Sequence, residues 1–245
     1  MKIENSTIFN EFESYIKLQR SFCVTGLTTF LRLLSVKKTL DLSKKKVLFV
    51  TSTEQMALRY QNDLSSFFNV DSEVLPYQNT SVYEPVNINK YDYAKQIDIL
   101  LKQPNLIITP IKSLFEKFPE KGFFNKNKLS LKIGDEITQK ELLKKLTDLG
   151  YKRSTMVNDI AEFSIRGDIT DIFSLQNNPV RIEFWGDEIV DIRYFDRETQ
   201  RSIEKIKNID ILPMYKFILP EQTPKDFPKE LKEQLEEERY FEGIE

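Results

Sequence analysis

The 245 residues are 40% hydrophobic and 30% charged, the balance of an ordinary globular chain long enough for one or two domains with cores of their own. A formal net charge of −2 leaves no overall field favouring nucleic acid, so any such contact has to be local. One cysteine, Cys23, and no histidine exclude a disulfide framework, a Cys/His zinc site and the usual base of a nucleophilic triad. This cysteine usage fits a reducing, cytoplasmic compartment. The N-terminus shows no signal pattern, and no apolar run reaches membrane-spanning length.

The first part of the chain, to about Phe118, alternates strands and helices. Residues 22–26 (FCVTG) predict a short strand ending at a glycine turn, followed by a helix over 28–40 that buries Phe30, Leu31, Leu33, Leu34 and Leu40. The continuous apolar run 47–50 (VLFV) predicts a strand covered on both faces. Ser52 or Thr53 then caps a helix over 54–68. A third strand is expected at 73–75 and an irregular loop with Tyr77, Tyr83 and Pro85 at 76–87. A helix over 88–102 has Tyr91, Ile97, Leu100 and Leu101 as core candidates; a fourth strand follows at 106–109 and a short helix at 111–118. Such alternation predicts a parallel sheet covered by helices.

A polar stretch at 119–127 marks a boundary. Residues 129–133 alternate as a strand and Gly134-Asp135 turns the chain. Thr138 and Glu141 form a capping box for a helix to Leu149, which Gly150 closes. Residues 162–201 then predict three consecutive strands with period-two alternation. In the first, Phe163, Ile165, Ile169 and Phe173 oppose Ser164, Arg166, Asp168 and Thr170. In the second, Val180, Ile182 and Phe184 oppose Arg181, Glu183 and Trp185; in the third, Val190, Ile192 and Tyr194 oppose Asp191, Arg193 and Phe195. Turns are expected at residues 176–179 and at Gly186-Asp187. The result is a curved antiparallel meander whose wet face carries Arg166, Arg181, Glu183, Trp185 and Arg193. Residues 209–213 predict a strand returning to the first domain. Pro220, Pro224 and Pro228 form a stiff link to a charged helix at 229–239, and residues 241–245 carry no stop signal, as expected of a fragment of a longer chain.

Catalytic chemistry finds little support. A phosphate loop needs G-x-x-x-x-G-K-[ST], with backbone N–H groups, a lysine and a hydroxyl for the phosphates and magnesium. Residues 25–31 (TGLTTFL) lack the second glycine and the lysine. The acidic pair Asp187-Glu188 sits in a hairpin turn rather than at a metal-binding strand end. Arginine and tryptophan are, however, the types enriched at binding hot spots. Two readings of the wet face stand: a protein-binding surface, or Arg181 and Glu183 paired with strand neighbours and Trp185 tucked under a loop. Single-stranded nucleic acid is a rival partner, since arginine, lysine and aromatics also suit it, but the nearby acids Asp168, Asp171, Asp187 and Asp191 weaken that reading.

The stretches 150–153 (GYKR), 162–169 (EFSIRGDI), 171–173 (DIF), 179–189 (PVRIEFWGDEI), 192–193 (IR), 195–196 (FD) and 199–202 (TQRS) closely resemble the UvrB-homology region shared by bacterial UvrB and the transcription-repair coupling factor Mfd. The ending RYFDxxTQRS is nearer to the coupling factors, and the lost phosphate loop agrees. The resemblance implies a degenerate RecA-like, P-loop NTPase-like domain 1a at 1–123, an inserted α+β domain 2 at 124–208, and the start of domain 1b with a linker helix at 209–245. It implies a non-catalytic module that recruits UvrA in nucleotide excision repair, without cofactor or metal. RNA polymerase and double-stranded DNA would be bound by other domains of the full-length protein, which also hold an ATP-driven, helicase-like motor. Carried over by motif position, the UvrA-binding residues are Arg166, Arg181 and Trp185, the last replacing the usual phenylalanine. Glu183 and Arg153 match polar positions used by UvrB, and Ser164 stands where UvrB tends to have an arginine. The alternative is an ATP-dependent DNA-damage enzyme of UvrB type. Arg181 is expected to hold a partner carboxylate by two hydrogen bonds, and its removal to weaken UvrA binding by roughly 2 kcal/mol or more while leaving the fold nearly intact. Nucleotide binding is expected to be absent: isothermal titration with ATP and magnesium should give no heat of binding, and a micromolar dissociation constant would contradict this reading of residues 25–31.

Overall fold

A computed structural model describes residues 7–78, 89–175 and 178–215. The expected features at Tyr83, Pro85, Gln176, Asn177 and beyond residue 215, including the three prolines and the charged helix, lie outside the described residues. The chain divides into two compact units, Met1–Lys117 and Phe118–Glu245.

The first unit contains α1 (Thr7–Lys17), α2 (Thr29–Ser43), β1 (Val47–Thr51), α3 (Glu54–Phe68), β2 (Glu73–Val74), α4 (Lys90–Lys102) and β3 (Leu106–Pro110), followed by a 3₁₀ turn at Ile111–Phe115. The three strands form a parallel sheet in the order β1-β3-β2. Side-chain oxygens of Thr28, Thr53 and Asn89 accept from the first backbone N–H groups of α2, α3 and α4, satisfying donors that have no partner within a helix. Leu33, Ala57, Tyr60, Leu64, Leu106 and Ile108 make the core between α2, α3 and one face of the sheet.

Four expectations change here, the first being Phe30 of α2, which is exposed rather than buried. Residues 22–26 do not form a strand; the Phe22 ring packs on Phe12 and Tyr15 instead, at 5.3 Å in each case. The segment is thus taken up by aromatic contacts with α1, a helix the sequence reading had not placed. Strand β1 is covered on one face only, since Leu48 and Val50 are exposed while Val47 and Phe49 pack into the core. In α4, Tyr91 is exposed, and Tyr93, Ala94, Ile97 and Ile99 face inward.

The second unit contains α5 (Phe123–Asn127), β4 (Leu129–Lys132), α6 (Gln139–Asp148), β5 (Lys152–Arg153), β6 (Glu162–Arg166), β7 (Ile169–Ile172), β8 (Val180–Trp185), β9 (Glu188–Phe195), β10 (Ser202–Ile206) and β11 (Asn208–Ile211). Six strands form one sheet in the order β10-β9-β8-β7-β6-β5. All its neighbours are antiparallel except β5 and β6. The capping box of Thr138 and Glu141 opens α6 as expected. Strand β11 does not return to the first unit; it pairs antiparallel with β4 of its own unit.

The segment expected to be one strand over 162–173 is a hairpin. Arg166 pairs directly with Ile169, and Gly167-Asp168 is the two-residue turn between them. Gly167 has φ +57° and Asp168 does not have a positive φ, the type II′ pattern that suits right-twisted strands. Crossing the turn reverses the parity assumed for the second half. Thr170 and Ile172 join Ile165 and Phe163 on the apolar face, while Ile169 and Asp171 move to the face of Arg166. A bulge between Glu183 and Phe184 makes a second correction: Glu183 pairs with Asp191 but Phe184 with Ile189. Val190 is therefore the extra residue and is exposed, and Ile189 takes the buried place.

The end of the described chain closes on the corner between α6 and β5. Met214 N–H donates to the Leu149 carbonyl at 2.7 Å, and the Tyr151 hydroxyl donates to the Leu212 carbonyl at 3.0 Å. Burial pushes the Tyr151 hydroxyl pKa well above its ordinary value. Between these bonds, Gly150 has φ +86°, and a Cβ there would stand 2.3 Å from a ring carbon of Tyr215. Both the backbone conformation and the space therefore require glycine. Gly150→Ala is expected to destabilise the second unit by roughly 2–4 kcal/mol, from left-handed strain plus overpacking. Denaturant unfolding monitored by circular dichroism measures it, and a change below about 0.5 kcal/mol would contradict this account.

Candidate functional site

The face opposite the apolar side of the six-stranded sheet is built in rows. Paired residues place Ser164, Asp171, Arg181, Arg193 and Lys205 in one row across β6, β7, β8, β9 and β10. The next row toward the turns holds Arg166, Ile169, Glu183 and Asp191, and Trp185 ends β8 one step further on the same side.

Asp171 is the centre of the first row. Its residue is 1% exposed, yet its carboxylate is fully engaged. Arg181 Nε donates to Oδ1 at 2.7 Å and Arg181 Nη2 to Oδ2 at 2.9 Å, the parallel two-bond geometry that only arginine provides. Arg166 Nη2 donates to the same Oδ2. The Arg181 guanidinium lies 4.6 Å from the centre of the Phe195 ring. It also donates to the backbone and side-chain oxygens of Gln200, at 3.3 Å each. With its side chain 14% exposed, it is enclosed by its own sheet. The hydrogen bonds to Asp171 raise its already high pKa, so it stays charged.

The second cluster is more open. Arg193 Nη1 meets Glu183 Oε2 at 3.1 Å and also bonds Asp191, whose other oxygen pairs with Lys205 Nζ at 2.9 Å. Burial alone would raise the Asp191 pKa, but the hydrogen bonds from Lys205 and Arg193 outweigh it and hold the carboxyl below its usual range. A depressed folded-state value means this pairing stabilises the fold fully above the ordinary aspartate range and is lost as pH falls through the depressed value.

Trp185 is 81% exposed, so it does not tuck under a loop. Its position is fixed by the hairpin it ends. Trp185 pairs with Glu188 across Gly186-Asp187, and Phe184 N–H donates to the Asp168 carbonyl at 2.8 Å, which sets the two Gly-Asp turns side by side. Residues leading into α6 hold both. Gln139 Nε2 donates to the Gly167 carbonyl at 2.7 Å, and Ile137 N–H to the Asp187 carbonyl at 2.8 Å.

The residues predicted for one surface are thus only partly brought together. Arg166, Glu183 and Trp185 share a face and an end of the sheet. Arg181 shares the face but is enclosed. Arg153 is exposed on edge strand β5 and pairs with Phe163, the opposite parity, about 14 Å from β8 by three strand spacings. Ser164 is buried and its hydroxyl makes no hydrogen bond among the described residues. Asp171 was not singled out by the sequence reading. The Arg-Gly-Asp-Ile turn was the signal that could have found it, because the turn moves Asp171 to the arginine side. In the first unit, the segment 25–31 shows a capped helix start, where Thr28 Oγ1 accepts from Leu31 N–H at 3.4 Å.

Residues 129–217, the stretch that builds the six-stranded sheet and the β4–β11 ladder, match the UvrB interaction domain family. The chain is similar to the transcription-repair-coupling factor of Staphylococcus aureus strain bovine RF122, 31% identical over 228 residues that make up 90% of this chain and 19% of the relative. The protein of that name from strain USA300 gives the same identity and coverage. The one from Staphylococcus haemolyticus is 28% identical over 243 residues, 97% of this chain and 21% of the relative. The chain spans about a fifth of the length of the curated relatives it matches. The resemblance to the coupling-factor form of the UvrB-homology region therefore holds over nearly the whole chain.

The enclosure of Arg181 changes what its removal does. Asp171 would keep one half-exposed arginine as its partner, and breaking a buried pair on one side costs roughly 3–5 kcal/mol. Arg181→Ala is therefore expected to lower the unfolding free energy of the second unit by about that amount, contrary to the near-silent effect read from the sequence. Equilibrium urea unfolding decides it: an unchanged midpoint would show that Asp171 does not depend on Arg181.

Proposed function

We propose that this chain is a non-catalytic UvrA-recruiting module of a transcription-repair coupling factor acting in nucleotide excision repair in the cytoplasm. The single observation that carries the reading is Trp185, a large aromatic held in the open at the end of a doubly braced hairpin, on the same face and end of the sheet as Arg166. An exposed tryptophan on rigid backbone supplies large contact area at low entropic cost to a protein partner. The UvrB interaction family match over the same residues supports it. In this reading residues 1–123 form a degenerate RecA-like domain 1a, 124–208 domain 2, and 209–245 the start of domain 1b. RNA polymerase and double-stranded DNA are contacted by other domains of a longer protein, which also hold the ATP-driven motor.

Within the UvrA-contacting face, Trp185 and Arg166 are the direct anchors, and Glu183 shares the row of Arg166 and the strand of Trp185. Arg153, of opposite parity on edge strand β5, joins the contact only around the edge of the sheet, and Arg181 acts through Asp171 on the neighbouring strand. The alternative, a UvrB-like ATP-dependent damage-recognition enzyme, is disfavoured because residues 25–31 lack the lysine and second glycine that hold phosphates. Tight DNA binding is disfavoured by Asp168, Asp187 and Glu188, which surround Trp185 with negative charge at the turn end.

Trp185→Ala is expected to weaken binding of purified UvrA to this chain by about 2 kcal/mol or more, as for a hot-spot residue. The melting temperature should hardly move, because the side chain contributes little to the core. Binding equal to wild type would overturn the proposal.

A further inference from the structure

We infer that Asp171 is a positioning residue for partner recognition: its buried carboxylate, gripped by Arg181, anchors Arg166 so that Arg166 presents its remaining guanidinium edge to a carboxylate of UvrA. The inference rests on the UvrA reading above and assigns its charged contact to Arg166 rather than to Arg181.

The roles of the two arginines follow from their surroundings. Arg181 places its fork on Asp171, lays its face over Phe195 and gives two of its three remaining N–H donors to Gln200. An incoming carboxylate has no free two-donor edge of this guanidinium to meet. Arg166 is the opposite case. Its side chain is 49% exposed, and only Nη2 is tied, to Asp171 Oδ2. Its Nε and Nη1 make no hydrogen bond among the described residues. An arginine standing alone on a strand would sample many rotamers, which a partner would have to freeze. Here one bond to a buried, immobile acceptor fixes the guanidinium while leaving donors facing outward. Asp171 itself cannot move toward the partner, because both oxygens are held by Arg181 from the neighbouring strand. The contacts therefore run in series across the face, with Phe195 and Gln200 holding Arg181, Arg181 holding Asp171, and Asp171 holding Arg166. Strand register contributes as well, since the type II′ turn at Gly167 places Asp171 diagonal to Arg166 on the same face.

The test is a double-mutant cycle on the whole chain, with affinity for purified UvrA and thermal melting both measured for wild type, Arg166→Ala, Asp171→Asn and the double variant. Arg166→Ala is expected to weaken binding roughly tenfold without altering melting. Asp171→Asn should weaken binding by a similar factor in the wild-type background, and by less than about twofold once Arg166 is absent, because the two act as one. A merely structural Asp171 would weaken binding equally in both backgrounds, and that outcome overturns the inference. Should Asp171→Asn melt too early to assay, Asp171→Asn combined with Arg181→Met removes the buried charges together and preserves the fold. That variant should bind UvrA as weakly as Arg166→Ala does, and wild-type affinity for it overturns the inference. The function reading fails separately: if neither Trp185→Ala nor Arg166→Ala weakens UvrA binding, the face is not the contact surface and the inference falls with it. If both weaken it while Asp171→Asn is additive, only the positioning role is lost.

Discussion

The interaction on which the second unit depends is the buried pair of Asp171 and Arg181. Taking two charges from water is costly, and a buried pair rarely gains net stability over an apolar one of the same size. Its value here lies in what it specifies. The two parallel hydrogen bonds form only if β7 and β8 meet with Asp171 opposite Arg181, and a one-residue slip would turn every side chain of β7 to the other face. The pair thus selects the register that buries Ile172 against Val180 and Phe163. The stacked Phe195 ring and Gln200 extend the same constraint to β9 and to the turn before β10.

A second set of constraints acts at the turn end. Residues 134–139 run from β4 into the capping box of α6, and on the way they bond both Gly-Asp turns. Backbone groups at hairpin tips usually face water, and tips fray for that reason. Here they are paired with a segment anchored by a capped helix. Trp185 therefore sits on backbone that is held from two sides, which separates it from an aromatic that is exposed merely because a loop is loose. The opposite end is closed by β11 on β4 and by Met214 and Tyr151 across the Gly150 corner. The second unit is in this way completed by chain segments far apart in sequence.

What the sequence made legible follows the strength of local signals. Helix α3 was legible to the residue because Thr53 caps it and an apolar face repeats along it. The capping box of α6 and the glycine after it were equally plain. The Gly167 turn was hidden because isoleucines at 165 and 169 keep a convincing alternation when the turn is counted as strand. Only the cross-strand pairing reveals that the second isoleucine faces the other way. Strand β10 escaped for a different reason: Ser202, Ile203, Glu204 and Lys205 are all exposed, so no buried face writes a period into its sequence. Parity placed Trp185 on the polar side but did not decide between an open position and one under a loop; the structure leaves it 81% exposed. Pairing of Arg181 and Glu183 with strand neighbours, one of the two readings, holds, but the enclosure of Arg181 was not legible, since it needs Asp171, Phe195 and Gln200 from three other segments.

The distribution of charge bears on how such a face selects a partner. Arg166, Arg181, Arg193 and Lys205 are each bonded to one of Asp171, Glu183 and Asp191, so four cations are nearly balanced by three carboxylates within the sheet itself. Further acids stand at the turns beside Trp185. A surface balanced at this range projects little field beyond a Debye length of about 8 Å at physiological ionic strength, and long-range steering of a charged partner is correspondingly small. In the proposed contact, discrimination then falls to short-range terms: the shape of a partner pocket that would admit an indole, and one guanidinium edge held in place. Polymeric anions such as DNA gain least from this arrangement, because their affinity depends on many unpaired cations. A folded protein surface gains most, because it can match one aromatic anchor and one oriented donor at a set separation.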